Sequence, residues 1–366
     1  MTNDVLPSLQ VNLAALKQNY HGLTQRCHGQ VAAVVKADAY GLGLGQVSKA
    51  LWAAGCRTFF VAYTREGAAL RRHCPDADIF VFAPYVEEEA AELLRHQLKP
   101  CLYSVSGCKA FSQASASHGG TASVALHVET GINRLGLSEQ DLHQVLENYS
   151  EALSVELVMS HLACADDTQS ERNPMQLERF QGIRALLPDV PASLANSGGV
   201  FLGDDYHFDI VRPGIALYGC DPHYGDVDAP RVDCVATLSS KVVQIKSVNA
   251  GEGVGYGASV VLDSKKRLGV VIGGYADGVV RLLGEPDSDA FLVNVGQRKS
   301  SLVGRISMDS CTIDLSGEGF EQVSVGQTVQ FFGPDAPLEV VARHARTIPY
   351  EILTHVGARV TREYSQ

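Results

Sequence analysis

The stretch Val31-Ala32-Ala33-Val34-Val35-Lys36-Ala37-Asp38-Ala39-Tyr40-Gly41 decides how the amino-terminal half of the chain is organised. Its apolar part does not alternate with polar residues, which is typical of a parallel strand buried on both faces. Folds of the α/β class place their chemistry at the carboxyl ends of such strands. Lys36 is therefore either a nucleophilic amine whose pKa is lowered by apolar surroundings, or a lysine whose ammonium group reaches solvent past the strand end.

Strand-like and helix-like runs alternate from this stretch to about residue 217. The further strand-like runs are Thr58–Tyr63, Asp78–Ala83, Pro100–Ser104, Ser123–Val128, Leu153–His161, Ala192–Ala195 and Asp209–Leu217. Eight parallel strands, most of them joined by helices, predict a (β/α)₈ barrel in a protein of the α/β class. An open doubly wound sheet is the alternative, but Gly41-Leu42-Gly43-Leu44-Gly45 lacks the spacing of a dinucleotide-binding turn.

The pattern changes near residue 225, where short β-type runs recur between glycines. These runs are Val232–Val248, Arg267–Ile272, Ala290–Val295, Lys299–Val303, Ser310–Asp314 and Gln327–Phe332. They predict a C-terminal, mostly antiparallel β domain, a sandwich or a barrel, because helical periodicity disappears here. We expect the barrel to span residues 11–224 and the β domain residues 225–366, with the boundary in the turn-rich segment 221–226. Residues 1–10 are expected to form a strand that joins the β domain.

Composition excludes several classes of function. The 30 basic and 41 acidic residues give a net charge of −11, which argues against a nucleic-acid or anionic-membrane partner. The nine cysteines form no Cys-x-x-Cys pair, so we expect reduced thiols and no metal site. The amino terminus has no secretory signal pattern, and no apolar run approaches the roughly 20 residues that cross a bilayer. We therefore expect a cytoplasmic protein.

In a barrel, polar residues at the strand ends would meet at one mouth. These residues are Lys36 with Tyr40, Glu129 with Arg134, His161, Asn196-Ser197-Gly198-Gly199, and Arg212-Pro213-Gly214-Ile215. An amine next to turns whose backbone N–H groups can bind phosphate meets the requirements of pyridoxal 5′-phosphate. Alternatively, the serine-glycine turn, the histidine and each arginine have ordinary structural roles in turns, hydrogen bonds and ion pairs.

Eight motifs, in chain order, then identify a family. They are Ala33–Gly41, Thr130-Gly131-Ile132-Asn133-Arg134-Leu135-Gly136, Ala195-Asn196-Ser197, Val211–Gly219, Val254-Gly255-Tyr256-Gly257, Gly274-Tyr275-Ala276-Asp277-Gly278, Gly304-Arg305-Ile306-Ser307-Met308-Asp309 and Ile348-Pro349-Tyr350-Glu351. Together they resemble the alanine racemases and extend over nearly the whole chain. The resemblance implies a pyridoxal-phosphate enzyme that forms a head-to-tail homodimer with shared active sites.

The resemblance also assigns roles to residues. Lys36 and Tyr256 would be the two catalytic bases, Lys36 for D-alanine and Tyr256 for L-alanine. The residues that would bind the cofactor are Lys36, Tyr40, His161, Ser197, Arg212, Gly214, Ile215 and Tyr350. Arg134 and the Met308 backbone would bind the substrate carboxylate, with Tyr256 and Met308 contributed by the partner subunit. The entrance would be formed by Asp166, Tyr275, Arg281 and Arg305 together with Tyr350.

The implied reaction is the interconversion of L- and D-alanine, for peptidoglycan supply or alanine catabolism. An arginine facing the pyridine nitrogen cannot readily give up its proton, so Arg212 disfavours a decarboxylase of the same fold. A non-catalytic cofactor carrier would lack the β domain. A racemase of broader specificity, acting for example on serine, stays open.

Three positions depart from the family pattern. His127 stands where many members have a lysine whose carbamate supports the neighbouring arginine, so Arg134 needs another anion or hydrogen bonds. Leu42 replaces a common histidine and Asp38 a common asparagine. We expect these differences to affect rate and fine specificity.

Overall fold

The computed structural model describes residues 5–84, 87–117, 122–223, 232–285 and 290–366. Its strands are β1 Ser8–Asn12, β2 Gln30–Val31, β3 Ala33–Val34, β4 Thr58–Val61, β5 Asp78–Val81, β6 Lys99–Leu102, β7 Ala122–His127, β8 Leu153–Met159, β9 Ala192–Ser193, β10 Ile210–Val211, β11 Ala236–Val248, β12 Gly253–Val254, β13 Val260–Val261, β14 Lys266–Ile272, β15 Leu292–Val295, β16 Arg298–Ser301, β17 Ser310–Asp314, β18 Thr328–Phe332 and β19 Thr361–Ser365. Its helices are α1 Leu13–Arg26, α2 Lys36–Tyr40, α3 Leu44–Ala53, α4 Thr64–Arg71, α5 Ala90–Arg95, α6 Val105–Ser117, α7 Glu139–Tyr149, α8 Arg172–Arg184, α9 Gly199–Leu202, α10 Leu338–His344 and α11 Pro349–Thr354.

The amino-terminal half is a closed parallel barrel. Strands β3 to β9 pair in chain order, and β10 pairs in parallel with β2. Backbone hydrogen bonds close the remaining gaps: the Arg212 N–H donates to the Ala195 carbonyl at 2.9 Å, and the Val34 N–H donates to the Pro213 carbonyl at 3.0 Å. The predicted barrel is confirmed. All strand carboxyl ends therefore meet at one mouth.

The first barrel strand follows the predicted apolar run, and its pairing on both sides confirms a buried parallel strand. Residues Gln30–Val31 pair with β10, and Ala33–Val34 pair with β4 on the other side. Ala32 lies between the two pieces and donates its N–H to the Val211 carbonyl at 2.9 Å, and Val34 donates to the Pro213 carbonyl on the same side. Residues 31–35 are buried throughout, as expected for a barrel strand with a neighbour on each side.

The carboxy-terminal half is built on a mostly antiparallel sheet with the strand order β16-β15-β18-β11-β1-β19, extended by β14 and β17. Strand β1 (Ser8–Asn12) pairs antiparallel with β11 and parallel with β19. The residues that precede the barrel thus lie in the sheet of the β domain. Of the predicted boundary 221–226, residues 224–226 lie outside the described part of the chain.

Two helices of the β domain were missed. Helices α10 and α11 have seven and six residues, so each contains too few apolar repeats to show helical periodicity in the sequence. The mostly antiparallel β domain is confirmed, and these two short helices are added to it. Helix α11 carries Tyr350 and lies against α2 at the barrel mouth, so the missed element is part of the site.

In the described residues, no helix is long and apolar enough to cross a membrane. Each of the nine cysteine side chains is free.

Candidate active site

The chain leaves the first barrel strand through a left-handed turn. Four consecutive residues have positive φ: Ala37 at 54°, Asp38 at 56°, Ala39 at 53° and Tyr40 at 57°. An L-residue in this conformation costs roughly 1–2 kcal/mol, so the turn needs support from its surroundings. None of the four residues is a glycine, and the sequence therefore gave no sign of the turn.

Side-chain carboxylates supply this support. Glu66, in the first turn of α4, accepts the Ala37 N–H at 2.8 Å. Asp38, one of the departures from the family pattern, accepts the N–H of Leu44 at 2.7 Å and so caps the start of α3. The turn is thus anchored to the neighbouring strand unit and to the next helix, directly after Lys36.

The turn directs Lys36 and Tyr40 into one cavity at the barrel mouth. The cavity has a volume of about 120 Å³. It is lined by Val34, Lys36, Tyr40, Phe82, His161, Asn196, Ser197, Arg212, Gly214, Ile215 and Tyr350. All eight residues predicted to bind a cofactor are among them. A wider cleft of about 620 Å³ shares Lys36, Tyr40 and Tyr350 with this cavity.

Lys36 is held among groups that disfavour its ammonium form. Burial lowers the pKa of Lys36 below its ordinary value, the nearby Arg134 lowers it further, and Glu66 opposes both effects. Its Nζ lies 5.7 Å from the centroid of the Phe82 ring. A lysine with a lowered pKa is more often a free amine, which is the form that attacks a carbonyl carbon.

Arg212 is an almost fully buried cation, 2% exposed. It donates to the Ser160 carbonyl at 2.6 Å and to the Ser193 hydroxyl. Burial lowers the pKa of Arg212 to about 10, so it keeps its charge at neutral pH. Within the described residues no carboxylate forms an ion pair with it. An unpaired buried charge of this kind favours an incoming acceptor atom.

Ser197 organises the turn after β10. Its hydroxyl oxygen accepts the N–H groups of Gly214 at 2.9 Å and of Ala216 at 3.2 Å, and the residue is only 3% exposed. The hydroxyl proton is not used in these two bonds and can be donated to another acceptor. A Cβ atom at Gly214 would lie 2.3 Å from the Tyr40 hydroxyl oxygen, so only glycine fits there. Hydroxyl groups and backbone N–H groups in this arrangement suit a phosphate.

Both histidines near the cavity are neutral at physiological pH. Burial and the charge of Arg212 hold the pKa of His161 well below its ordinary value. Burial, followed by Arg212 and Arg134, lowers the pKa of His127 to about 4. The Nε2 atom of His127 is buried without a hydrogen-bond partner in the described part of the chain. A neutral histidine thus lies within electrostatic reach of both arginines.

The remaining predicted residues do not line the cavity. Arg134 and Asp166 are exposed on the barrel, although Arg134 is close enough to act on Lys36. Tyr256 is 72% exposed, Met308 52% and Tyr275 43%, and all three lie on the β domain.

Arg281 and Arg305, the other entrance residues, are held together. The Glu285 carboxylate accepts from Arg281 at 2.7 Å and from Arg305 at 3.3 Å. This β-domain surface is not part of the cavity in its own chain.

Several residues of the site were not predicted. Phe82 lines the cavity, Glu66 supports the left-handed turn, and Ser160 and Ser193 bind Arg212. Asn196 also lines the cavity, and it stood in the motif that was predicted to lie at the barrel mouth. Glu66 looks like an ordinary residue of a first helical turn, and its contact with Ala37 depends on the pairing of neighbouring barrel strands.

Family models describe both halves of the chain. The alanine racemase N-terminal domain matches residues 11–222, and the alanine racemase C-terminal domain matches residues 235–364. The chain belongs to the alanine racemase family. The predicted family is thereby confirmed. An alanine racemase of Rhizobium meliloti is 41% identical over 97% of this chain and 96% of its own length, and a biosynthetic alanine racemase of Agrobacterium fabrum is 39% identical over 97% and 93%.

Solved structures agree over the whole fold. An alanine racemase from Bartonella henselae with covalently bound pyridoxal phosphate has a TM-score of 0.92 and 35% identity, covering 98% of this chain and 99% of its own. A biosynthetic alanine racemase from Pseudomonas aeruginosa has a TM-score of 0.88 and 32% identity, covering 99% and 100%. The cavity fits such a cofactor, because it joins an amine of lowered pKa, a buried unpaired arginine and a hydroxyl-lined anion site.

Proposed function

We propose that this protein interconverts L- and D-alanine with pyridoxal 5′-phosphate. The observation that carries the proposal is the cavity at the barrel mouth. Lys36 and Tyr40 from one part of the sequence, and Ser197 and Arg212 from another, line this one small space. A decarboxylase is disfavoured because Arg212 occupies the place where a carboxylate would be needed.

The cofactor would be held at both ends by this chain. Lys36 would bind it covalently, while the Ser197 hydroxyl, the N–H groups of Gly214 and Ile215 and the hydroxyls of Tyr40 and Tyr350 would bind the phosphate. Burial raises the pKa of Tyr40, so its hydroxyl stays a hydrogen-bond donor at neutral pH. Arg212 would donate to the pyridine ring. When bound, the cofactor withdraws electrons from Cα of the amino acid and makes its hydrogen acidic.

Racemisation needs one proton-transfer group on each face of Cα. Lys36 serves the D-alanine face, and Tyr256 serves the L-alanine face. Tyr256 is exposed on the β domain of its own chain, so we infer that it enters the cavity of a second copy in a homodimer. Neutral His161 accepts a hydrogen bond from this tyrosine, and the arginines stabilise its ionised form.

The substrate carboxylate would be bound by Arg134 together with the backbone of the partner's Met308. Asp166 from the barrel and Tyr275, Arg281 and Arg305 from the β domain would form the entrance. Tyr350 on α11 stands beside Tyr40, with ring centroids 6.0 Å apart. It limits the space for a side chain, which favours alanine. The cytoplasmic location and a role in supplying D-alanine, as in the biosynthetic relatives, stay predictions.

A cofactor-trapping experiment and a substrate panel test this function. We expect borohydride reduction of the loaded enzyme to leave the pyridoxyl label on Lys36; a label on another lysine would contradict the cofactor assignment. Racemisation should be fastest with alanine and slower with serine and larger amino acids. Equal rates for serine and alanine would support the broader-specificity alternative.

A further inference from the structure

Two loops of the β domain carry proposed site residues, and their backbones are in close contact. Tyr275 donates its N–H to the Ser307 carbonyl at 3.1 Å, and Ala276 donates to the Met308 carbonyl at 3.1 Å. A Cβ atom at Gly274 would lie 2.1 Å from the Ser307 carbonyl oxygen, so the contact leaves no room for a side chain. The entrance residue Tyr275 and the substrate-binding residue Met308 therefore move as one unit, which we call the paired loops 273–278 and 307–309.

Arg359, from the segment before β19, joins these paired loops. Its Nε donates to Asp277 at 2.6 Å, and its Nη2 donates to Asp277 at 2.9 Å and to Asp309 at 2.6 Å. Asp277 is buried, and its carboxylate also accepts the Gly274 N–H at 2.9 Å. The two carboxylates raise the pKa of Arg359 above its ordinary value. Two parallel hydrogen bonds between a guanidinium group and a carboxylate fix the relative orientation of the two side chains and also neutralise their charges.

The same C-terminal segment also holds the turn after Lys36. Arg362 donates to the Gly41 carbonyl at 3.1 Å, and the Tyr364 hydroxyl donates to the Leu42 carbonyl at 3.0 Å. Residues 359–364 thus contact the turn that serves the chain's own cavity on one side and the paired loops on the other.

We propose that Arg359 positions the paired loops, which contribute Tyr275 and Met308 to the active site of the partner chain. We also propose that Tyr364 positions the turn after Lys36, which belongs to the active site of its own chain. This inference rests on the proposed function, since it requires that Met308 and Tyr275 act in the second copy's cavity. Arg359 touches neither substrate nor cofactor in this arrangement. It acts through Asp277 and Asp309 on the loops that reach across.

Hybrid dimers separate the two roles. A Lys36→Ala chain with one affinity tag is paired with a Tyr256→Phe chain with another, so that the one intact site combines Lys36 of the second chain with Tyr256 of the first. Adding Arg359→Gln to the Lys36→Ala chain should lower kcat/KM for alanine about tenfold, because misplacing substrate-binding groups is costly. The same change in the Tyr256→Phe chain should alter it by less than about twofold.

Three further variants complete the test: one for the role of Tyr364 and two as controls for Arg359→Gln. Tyr364→Phe should lower kcat/KM when it is placed in the Tyr256→Phe chain and have little effect in the Lys36→Ala chain. The loss should be smaller, about threefold, because a single hydrogen bond is removed. Arg343→Gln, on the exposed last turn of α10, should have no effect in either chain. Arg359→Lys keeps the charge without the two parallel hydrogen bonds and should fall between wild type and Arg359→Gln; it replaces that variant if the glutamine protein does not fold.

The outcomes are distinct. Equal losses from Arg359→Gln in both placements, or no loss in either, would overturn the positioning role while leaving the proposed function intact. An inactive reference hybrid would overturn the shared site itself and the inference with it.

Discussion

The barrel mouth and the exposed face of the β domain carry the two halves of the proposed site, and they differ most in burial. At the mouth, Tyr40, Ser197 and Arg212 are almost completely buried. On the β domain, Tyr256 and Met308 are mostly exposed. The difference teaches that one half of the proposed site is organised by its own chain, whereas the other half lies on an exposed surface. We propose that a second copy of the chain covers this surface.

The two regions also use their arginines differently. At the mouth, Arg212 is bound by uncharged groups and stays available to an anionic or lone-pair acceptor. On the β domain, Glu285 pairs with Arg281 and Arg305, and Arg359 pairs with two aspartates. The buried arginine of the cavity thus has no carboxylate partner in the described residues, while those on the exposed face are tied to carboxylates of their own domain.

Among the substitutions considered, Tyr256→Phe on the exposed face of the β domain is expected to have the largest effect on activity. Tyr256→Phe should slow solvent-deuterium incorporation at Cα of L-alanine by roughly 10²–10⁴-fold, because the proton-transfer group for that face is removed. Exchange from D-alanine, which depends on Lys36, should fall much less. Mass spectrometry of both enantiomers during early turnover gives the two rates. Tyr63→Phe, another exposed tyrosine on the barrel, is the control, and unchanged exchange from L-alanine in Tyr256→Phe would disprove the two-base assignment.

Burial of His127 at the barrel mouth should make the free energy of unfolding depend on pH. Burial lowers the pKa of His127 to about 4 in the folded protein, while an unfolded histidine titrates near 6.5. Below pH 6.5 this histidine binds a proton in the unfolded chain but not in the folded chain, which favours unfolding. Its contribution to the free energy of unfolding is therefore fully present above pH 6.5 and is lost as the pH falls towards 4. The difference in free energy of unfolding between wild type and His127→Asn should shift by about 2 kcal/mol between pH 7 and pH 5.

Urea denaturation at the two pH values measures this shift. His143→Asn, on helix α7, provides the matched control and should leave the pH dependence unchanged. A wild-type pH dependence that persists in His127→Asn would show that folding does not lower the pKa of this histidine.

A smaller effect is expected at the phosphate end of the cavity. Ser197→Ala leaves the N–H groups of Gly214 and Ala216 without their acceptor, and it removes one donor to the phosphate. We expect pyridoxal-phosphate affinity to fall about tenfold. Titration of the apoenzyme, followed by absorbance, measures this affinity, with the exposed Ser154→Ala as control. Unchanged affinity would mean that the phosphate lies elsewhere.

The sequence predicted the barrel because apolar runs of strand length recur between helices, and it placed Lys36, His161 and Arg212 at strand ends. It could not predict the left-handed turn of residues 37–40, because those residues include no glycine. Helices α10 and α11 are too short for their periodicity to be visible. The contacts of Glu66 with Ala37 and of Arg359 with Asp309 arise only when distant segments meet in the fold.

The central claim is that each working site combines the mouth of one chain with the exposed face of another, and subunit mixing tests it most directly. Lys36→Ala and Tyr256→Phe proteins, each inactive alone, are mixed in equal amounts, dissociated and reassociated. Random pairing makes half of the dimers hybrid with one intact site each, so about a quarter of wild-type activity should return. Activity that stays at the level of the separate variants after proven subunit exchange would contradict the claim.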